Sequence, residues 1–156
     1  MILPYREGTL FGLPLRNRGY GVGLVARTTA KGKVILCYFY GPPRIVVPVL
    51  SQMERLKPAE ATRIARVGDL GLIRGEWPII GLARWWNRAE WPMPRFVRRD
   101  PLSGRAWRVF RSELDPGLVE REEPEPYESI LGTDSLSGWK AAEIYLSKLL
   151  EQQAVQ

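Results

Sequence analysis

The 156-residue sequence contains no histidine and a single cysteine. The first absence excludes Ser-His-Asp and Cys-His triads, imidazole metal ligation and a histidine pH switch. The second excludes an internal disulfide and any cysteine-rich zinc cluster. No apolar run approaches the ~20 residues that a membrane span needs. The opening residues 1–8 lack a basic stretch followed by an apolar core, so no secretory signal is expected. What remains is the composition of a folded protein: 45% hydrophobic, 26% charged and 10% aromatic. The length suits one domain. The expectation is a single cytoplasmic domain with no membrane association, no cofactor and no metal.

Charge is divided along the chain. Residues 1–112 hold 20 basic and 7 acidic side chains, a net +13, whereas residues 113–156 hold 3 and 10, a net −7. Such asymmetry marks either a tail that folds onto the body or two faces with different partners. Arginine supplies 18 of the 23 basic residues, which favours bidentate hydrogen bonding and stacking on aromatic rings.

Hydrophobic patterning predicts a mostly β protein of the α+β class. It is built on an antiparallel sheet, meander or barrel-like, with a short middle helix and a C-terminal amphipathic helix. Residues 9–15 read as a strand. Residues 20–28 alternate, with Tyr20, Val22, Leu24 and Ala26 on one face and Gly21, Gly23, Val25 and Arg27 on the other, which predicts a half-buried strand. Arg16-Asn17-Arg18-Gly19 between them is turn chemistry. The apolar run 34–40, stopped by Gly41-Pro42-Pro43, predicts a central strand. Residues 57–66 read as the middle helix, with Pro58 in its first turn, and residues 69–74 as another strand. Residues 105–112 give a further strand. The acidic, proline-bearing stretch 120–128 reads as an exposed, partly disordered connector. The organisation expected is a β-rich body over 1–115, an acidic connector over 116–135 and a helix over 136–153. Ser137 is expected to cap that helix. Trp139, Ala142, Leu146, Leu149 and Leu150 form its apolar stripe, widened by Ile144 and Tyr145.

Little here resembles a catalytic centre. The glycines at 19, 21 and 23 lie inside an alternating strand rather than opening a helix, so they read as close-approach positions and not as a phosphate loop. Cys37 falls mid-strand, where burial raises the thiol pKa and blunts its nucleophilicity. The carboxylates of the body show no paired spacing. The unusual feature is residues 77–91, which hold four of the six tryptophans, interleaved with arginines that continue to Arg95. Large rings beside guanidinium groups serve cation–π contacts, protein-binding anchors and single-stranded nucleic acid equally well. At least half of these four tryptophans are expected in the core. The candidate partner-binding set is Arg84, Trp85, Trp86, Arg88, Trp91 and Arg95.

Four stretches together carry a family resemblance. They are Gly8-Thr9-Leu10-Phe11-Gly12-Leu13-Pro14-Leu15 with Gly19-Tyr20-Gly21-Val22-Gly23, then Tyr38-Phe39-Tyr40-Gly41-Pro42, then Gly68-Asp69-Leu70-Gly71-Leu72 to Glu76-Trp77-Pro78-Ile79-Ile80-Gly81, and Trp91-Pro92-Met93-Pro94. With them, residues 8–115 resemble the immunity protein 26 family of bacterial polymorphic-toxin systems. The resemblance implies a mostly β fold and a non-catalytic protein that binds and neutralises a cognate toxin. Either the Trp/Arg cluster or the acidic run Glu120, Glu122, Glu123 and Glu125 is then the contact surface. The alternative from composition is nucleic-acid binding by the basic body. Members of this family are sometimes labelled with a phosphotriesterase group, but a hydrolase reading ranks last, because familiar dinuclear phosphotriesterases use histidine ligands and this chain has none.

Overall fold

A computed structural model describes residues 2–155. Strands β1 (Thr9–Pro14), β2 (Tyr20–Arg27) and β3 (Val34–Arg44) form the expected antiparallel meander. The sheet grows at both edges. Strand β4 (Arg63–Gly68) pairs antiparallel with β3, and β5 (Ile79–Leu82) pairs antiparallel with β1. A second sheet holds β6 (Phe96–Asp100), β7 (Arg105–Arg111) and β8 (Val119–Glu125), all antiparallel. The short strand β9 (Leu136–Ser137) adds parallel to β4, giving the order β5-β1-β2-β3-β4-β9. The helices are α1 (Leu70–Ile73) and α2 (Trp139–Val155). The sheets are open, not a closed barrel.

Both faces of the six-stranded sheet are covered, so β2 is buried on both sides rather than half-buried. Phe11, Val25, Cys37, Phe39 and Val67 face α2, which contributes Ala142, Leu146 and Leu150. Leu10, Leu24, Leu36, Tyr38 and Tyr40 face Trp91 and the second sheet, through Phe96 and Val109. The glycines of β2 make the first layer fit. A Cβ on Gly23 would overlap the Phe11 ring, which stacks on Trp77 at 5.3 Å, and one on Gly21 would meet Leu146. Cys37 is fully buried and burial pushes its thiol pKa up, as expected of a small core hydrophobe.

Several local assignments change. Residues 57–66 are not a helix: Pro58–Glu60 form one 3-10 turn and β4 follows. The open edge of β3 outweighs a weak helical preference, and Arg63, Ala65 and Val67 alternate with Ile64 and Arg66 across the sheet. The middle helix is instead the single turn α1, where a strand is predicted. Asp69 directs it. Its carboxylate accepts from the Tyr5 hydroxyl (2.8 Å) and the Lys33 N–H (2.9 Å), and its carbonyl accepts from Leu72 and Ile73. Gly71 then lies against the Trp77 indole. Strand β3 also continues beyond residue 40, through Gly41-Pro42-Pro43 to Arg44.

The acidic segment read as a connector contains β8, an ordered edge strand whose glutamates meet arginines of β6 and β7. Arg98 binds Glu122 at 2.8 Å, and Arg108 binds Glu125 at 2.8 Å. Ser137 does not cap α2. It lies in β9, and its hydroxyl accepts from Arg63 Nη2 at 3.1 Å. Ile144 and Tyr145 point outward, while Glu143 and Ser147 are buried beside the stripe. Glu143 accepts from Trp77 Nε1 at 3.0 Å, and the Ser147 hydroxyl accepts from the Arg16 N–H at 2.8 Å.

Candidate functional site: an aromatic ledge

The chain leaves β5 into a tight turn. The Ala83 N–H donates to Gly8 O at 3.0 Å, and the Trp86 N–H donates to Ala83 O at 3.2 Å. Asn87 then caps a 3-10 turn at Arg88–Glu90, its side-chain oxygen accepting from the Ala89 N–H at 3.2 Å. This path drops Trp91 into the core with no exposed surface, edge-on to Tyr38 at 5.1 Å. Trp85 stacks on Trp91 at 5.6 Å and Trp86 leans on it at 6.1 Å, both half-buried. The result is a rigid ledge whose outer rings rest on a buried one. Of the four tryptophans, Trp77 and Trp91 are core, as expected for half of them.

Charged groups fasten the ledge to the sheets. Arg27, in β2 and 1% exposed, forms an ion pair with Glu113, with its Nε 3.0 Å from the carboxylate. The same carboxylate accepts from the Met93 N–H. Arg88 donates to Glu7 at 2.8 Å and to the Glu113 carbonyl. The Tyr38 hydroxyl donates to Pro92 O at 2.6 Å, and burial pushes its pKa up to about 12. Arg88 is thus engaged inside the molecule. Arg95 turns toward the three-stranded sheet, where it and Arg121 both lie over the Phe110 ring, at 5.1 and 3.9 Å. The structure therefore brings together Arg84, Trp85 and Trp86 at the surface, places Trp91 beneath them, uses Arg88 as a fastener and sets Arg95 on the second sheet.

The ledge has an apolar companion that sequence reasoning missed. Residues 45–53 cross from β3 toward β5. Val47 packs on Gly12 and Leu50 on Gly81, leaving Ile45, Val46 and Val49 at 84, 70 and 58% exposure. Val49, Leu50, Ser51, Met53, Arg84 and Trp85 enclose a cleft of about 580 Å³. On the other side of the ledge, Trp86 borders a second cleft with Arg6, Glu7 and Leu82. Arg6 and Arg84 have no ion-pair partner among the described residues. The available signal was Ile45-Val46-Val47-Pro48-Val49-Leu50, an apolar run broken by proline that fits neither strand nor helix periodicity. Glu7, Arg27 and Glu113 were also missed, since each acts through a contact distant in sequence.

The family model of immunity protein 26 matches residues 6–108, about two thirds of the chain. The chain belongs to that family. No curated protein and no solved structure matches it. The matched residues of this immunity protein 26 family member include the ledge, the 45–53 loop and Arg27, whereas Glu113, β8, β9 and α2 follow them. The family name implies an immunity protein directed at a toxin. Among the described residues no group of three or more His, Cys, Asp or Glu side chains is placed to hold a metal ion, and no helix is long and apolar enough to cross a membrane.

Proposed function

We propose that this protein binds and neutralises a cognate bacterial toxin, without turnover, through the face formed by Trp85, Trp86, Arg84 and the exposed residues of the 45–53 loop. It acts in the cytoplasm as the immunity partner of a polymorphic-toxin system. Family membership supports the class of partner. The observation that carries the surface is the rigid ledge: rings supported by buried Trp91, beside uncovered apolar side chains and two unpaired arginines. Tryptophan and arginine around a pocket are the residue types that dominate binding energy at protein interfaces. The partner surface this face fits has an apolar protrusion flanked by carboxylates. The acidic run is a poorer candidate, because Glu122, Glu123 and Glu125 already hold Arg98, Arg108 and Arg121.

The test is co-purification of the tagged protein from its native cells at low and high salt, followed by assay of the captured toxin domain. A stoichiometric toxin that survives high salt and is inhibited in the complex is the expected result. Trp85→Ala and Arg84→Glu should each weaken that complex by at least 2 kcal/mol, roughly 30-fold, and the exposed Arg84→Glu should do so with little loss of fold stability. Capture of nucleic acid alone, released by salt, refutes the proposal.

A further inference from the structure

At the edge of the sheet opposite β5, strand β4 is only partly covered. Strand β3 pairs with all of it, but β9 reaches only Arg66 and Val67. The chain approaching β9 bridges β6 at Thr133 and meets β4 only at Leu136. Among the described residues no backbone hydrogen bond joins residues 63–65 to residues 132–135. A cleft of about 580 Å³ opens there, lined by Arg63, Ile64, Ala65, Thr133, Ser135 and Tyr145. That volume falls within the ~300–1,000 Å³ of ordinary ligand sites.

Its chemistry is selective. Alternation along β4 turns the backbone N–H and C=O of Arg63 and Ala65 toward β3 and leaves those of Ile64 facing the cleft, one donor and one acceptor that suit an extended chain. The polar side chains around it are a guanidinium and three hydroxyls, beside the apolar Ile64 and Ala65. Arg63 lies 4.8 Å over the Tyr145 ring and gives Nη2 to Ser137, but its Nη1 is buried with no hydrogen-bond partner. The guanidinium therefore holds unused hydrogen-bonding capacity, and any turn that brings Nη1 to an acceptor in the cleft is favourable. The neighbouring carboxylate, Asp134, is 7% exposed and already held by Arg66 at 3.2 Å and Arg111 at 2.8 Å.

We propose that the open end of β4 is a strand-addition site: an extended segment of a protein partner docks in this cleft, bonds to the N–H and C=O of Ile64 and sets a carboxylate against Arg63. The site is separate from the aromatic ledge and does not rest on the toxin reading. It is tested by titrating the full ¹⁵N-labelled chain with two pools of capped heptapeptides of alternating Val and Thr, one with a central Glu and one with a central Gln. Amide shifts should concentrate at residues 63–65 and 132–135, and the Glu pool should bind at least roughly tenfold more tightly. Arg63→Met should erase that preference. Thr133→Arg, which fills the cleft and leaves Arg63 and β4 in place, should abolish both sets of shifts while the remaining spectrum stays folded. No shift at 63–65 with millimolar peptide, equal binding of the two pools, or undiminished binding to Thr133→Arg overturns the proposal. So does an oligothymidylate that produces the same shifts more strongly.

Discussion

Replacing Glu113 by alanine isolates the fastening of the ledge. The carboxylate holds the Arg27 guanidinium, whose side chain is 1% exposed, and the half-buried Met93 N–H. Deleting one partner of a buried ion pair costs about 3–5 kcal/mol, because the other charge stays behind uncompensated. Two features lower that figure. Glu113 itself is 44% exposed, so water screens part of the attraction. Arg27 also keeps donors on the Ala26 carbonyl at 2.6 Å and the Arg88 carbonyl at 3.2 Å. The expected loss is about 2 kcal/mol, or about 4–8 °C in Tm for a chain of this size. Urea unfolding followed by tryptophan fluorescence gives the value, with the midpoint falling and the slope unchanged. Glu120, exposed and without an ion-pair partner among the described residues, is the control and should change stability by less than about 0.5 kcal/mol when replaced by alanine. A Glu113→Ala protein as stable as Glu120→Ala would refute the account of how the ledge is held.

Other consequences are open to measurement. Gly23→Ala drives a methyl into the Phe11 ring, itself stacked on Trp77, and should cost at least about 2–3 kcal/mol in thermal or denaturant unfolding. Trp77→Phe takes the indole donor from the buried Glu143 carboxylate, leaving it the Arg16 guanidinium at 3.7 Å, and should cost about 2–4 kcal/mol; adding Glu143→Leu removes the under-bonded charge and should recover part of the loss in a double-mutant cycle. The Tyr38 pKa is raised by burial from its ordinary 10.0 to about 12. The unfolded chain therefore releases this proton first as pH rises. Stability is full below about pH 10 and falls through pH 12, by about 3 kcal/mol from this group. Chemical denaturation between pH 9 and 12 should show the decline, and Tyr38→Phe should make it shallower without abolishing it, because burial also raises the Tyr5, Tyr40 and Cys37 pKa values.

Strands β1, β2, β3 and β7 were legible because their information is local: alternation, an apolar run and turn residues at the ends. Residues 57–74 were not, because two non-local demands decide them. An uncovered edge of β3 draws residues 63–68 into a strand, and the Tyr5 and Lys33 contacts of Asp69 turn the next residues into a helix. Strand β8 was hidden by its charge. Glutamates beside proline look like a solvated linker until β6 and β7 place arginines opposite them. At the candidate site, the density of tryptophan and arginine marked the segment that forms the ledge. It did not show that Trp91 lies beneath the surface, that Arg88 is spent internally, or that an apolar loop from residues 45–53 completes the face.

The division of charge along the sequence resolves into one fold rather than two binding faces. The family-matched residues 6–108 contain Arg27 and Arg66, at 1 and 5% exposure, and neither guanidinium has a carboxylate partner within that stretch. The partners, Glu113 and Asp134, come afterwards. The same later residues supply Leu146 over Gly21 and Leu150 over Gly41, so they cover one face of the central sheet as well as neutralising its cations. Asp134 carries this furthest, bonding Arg66 of β4 and Arg111 of β7 at once and so tying the two sheets together. Once the acidic third is folded back in this way, the cations left over are informative. Arg84 and Arg6 border the ledge at Trp85 and Trp86. A partner is best steered by charges the fold has not consumed, and two of these, Arg84 and Arg6, stand beside the rings that would anchor it.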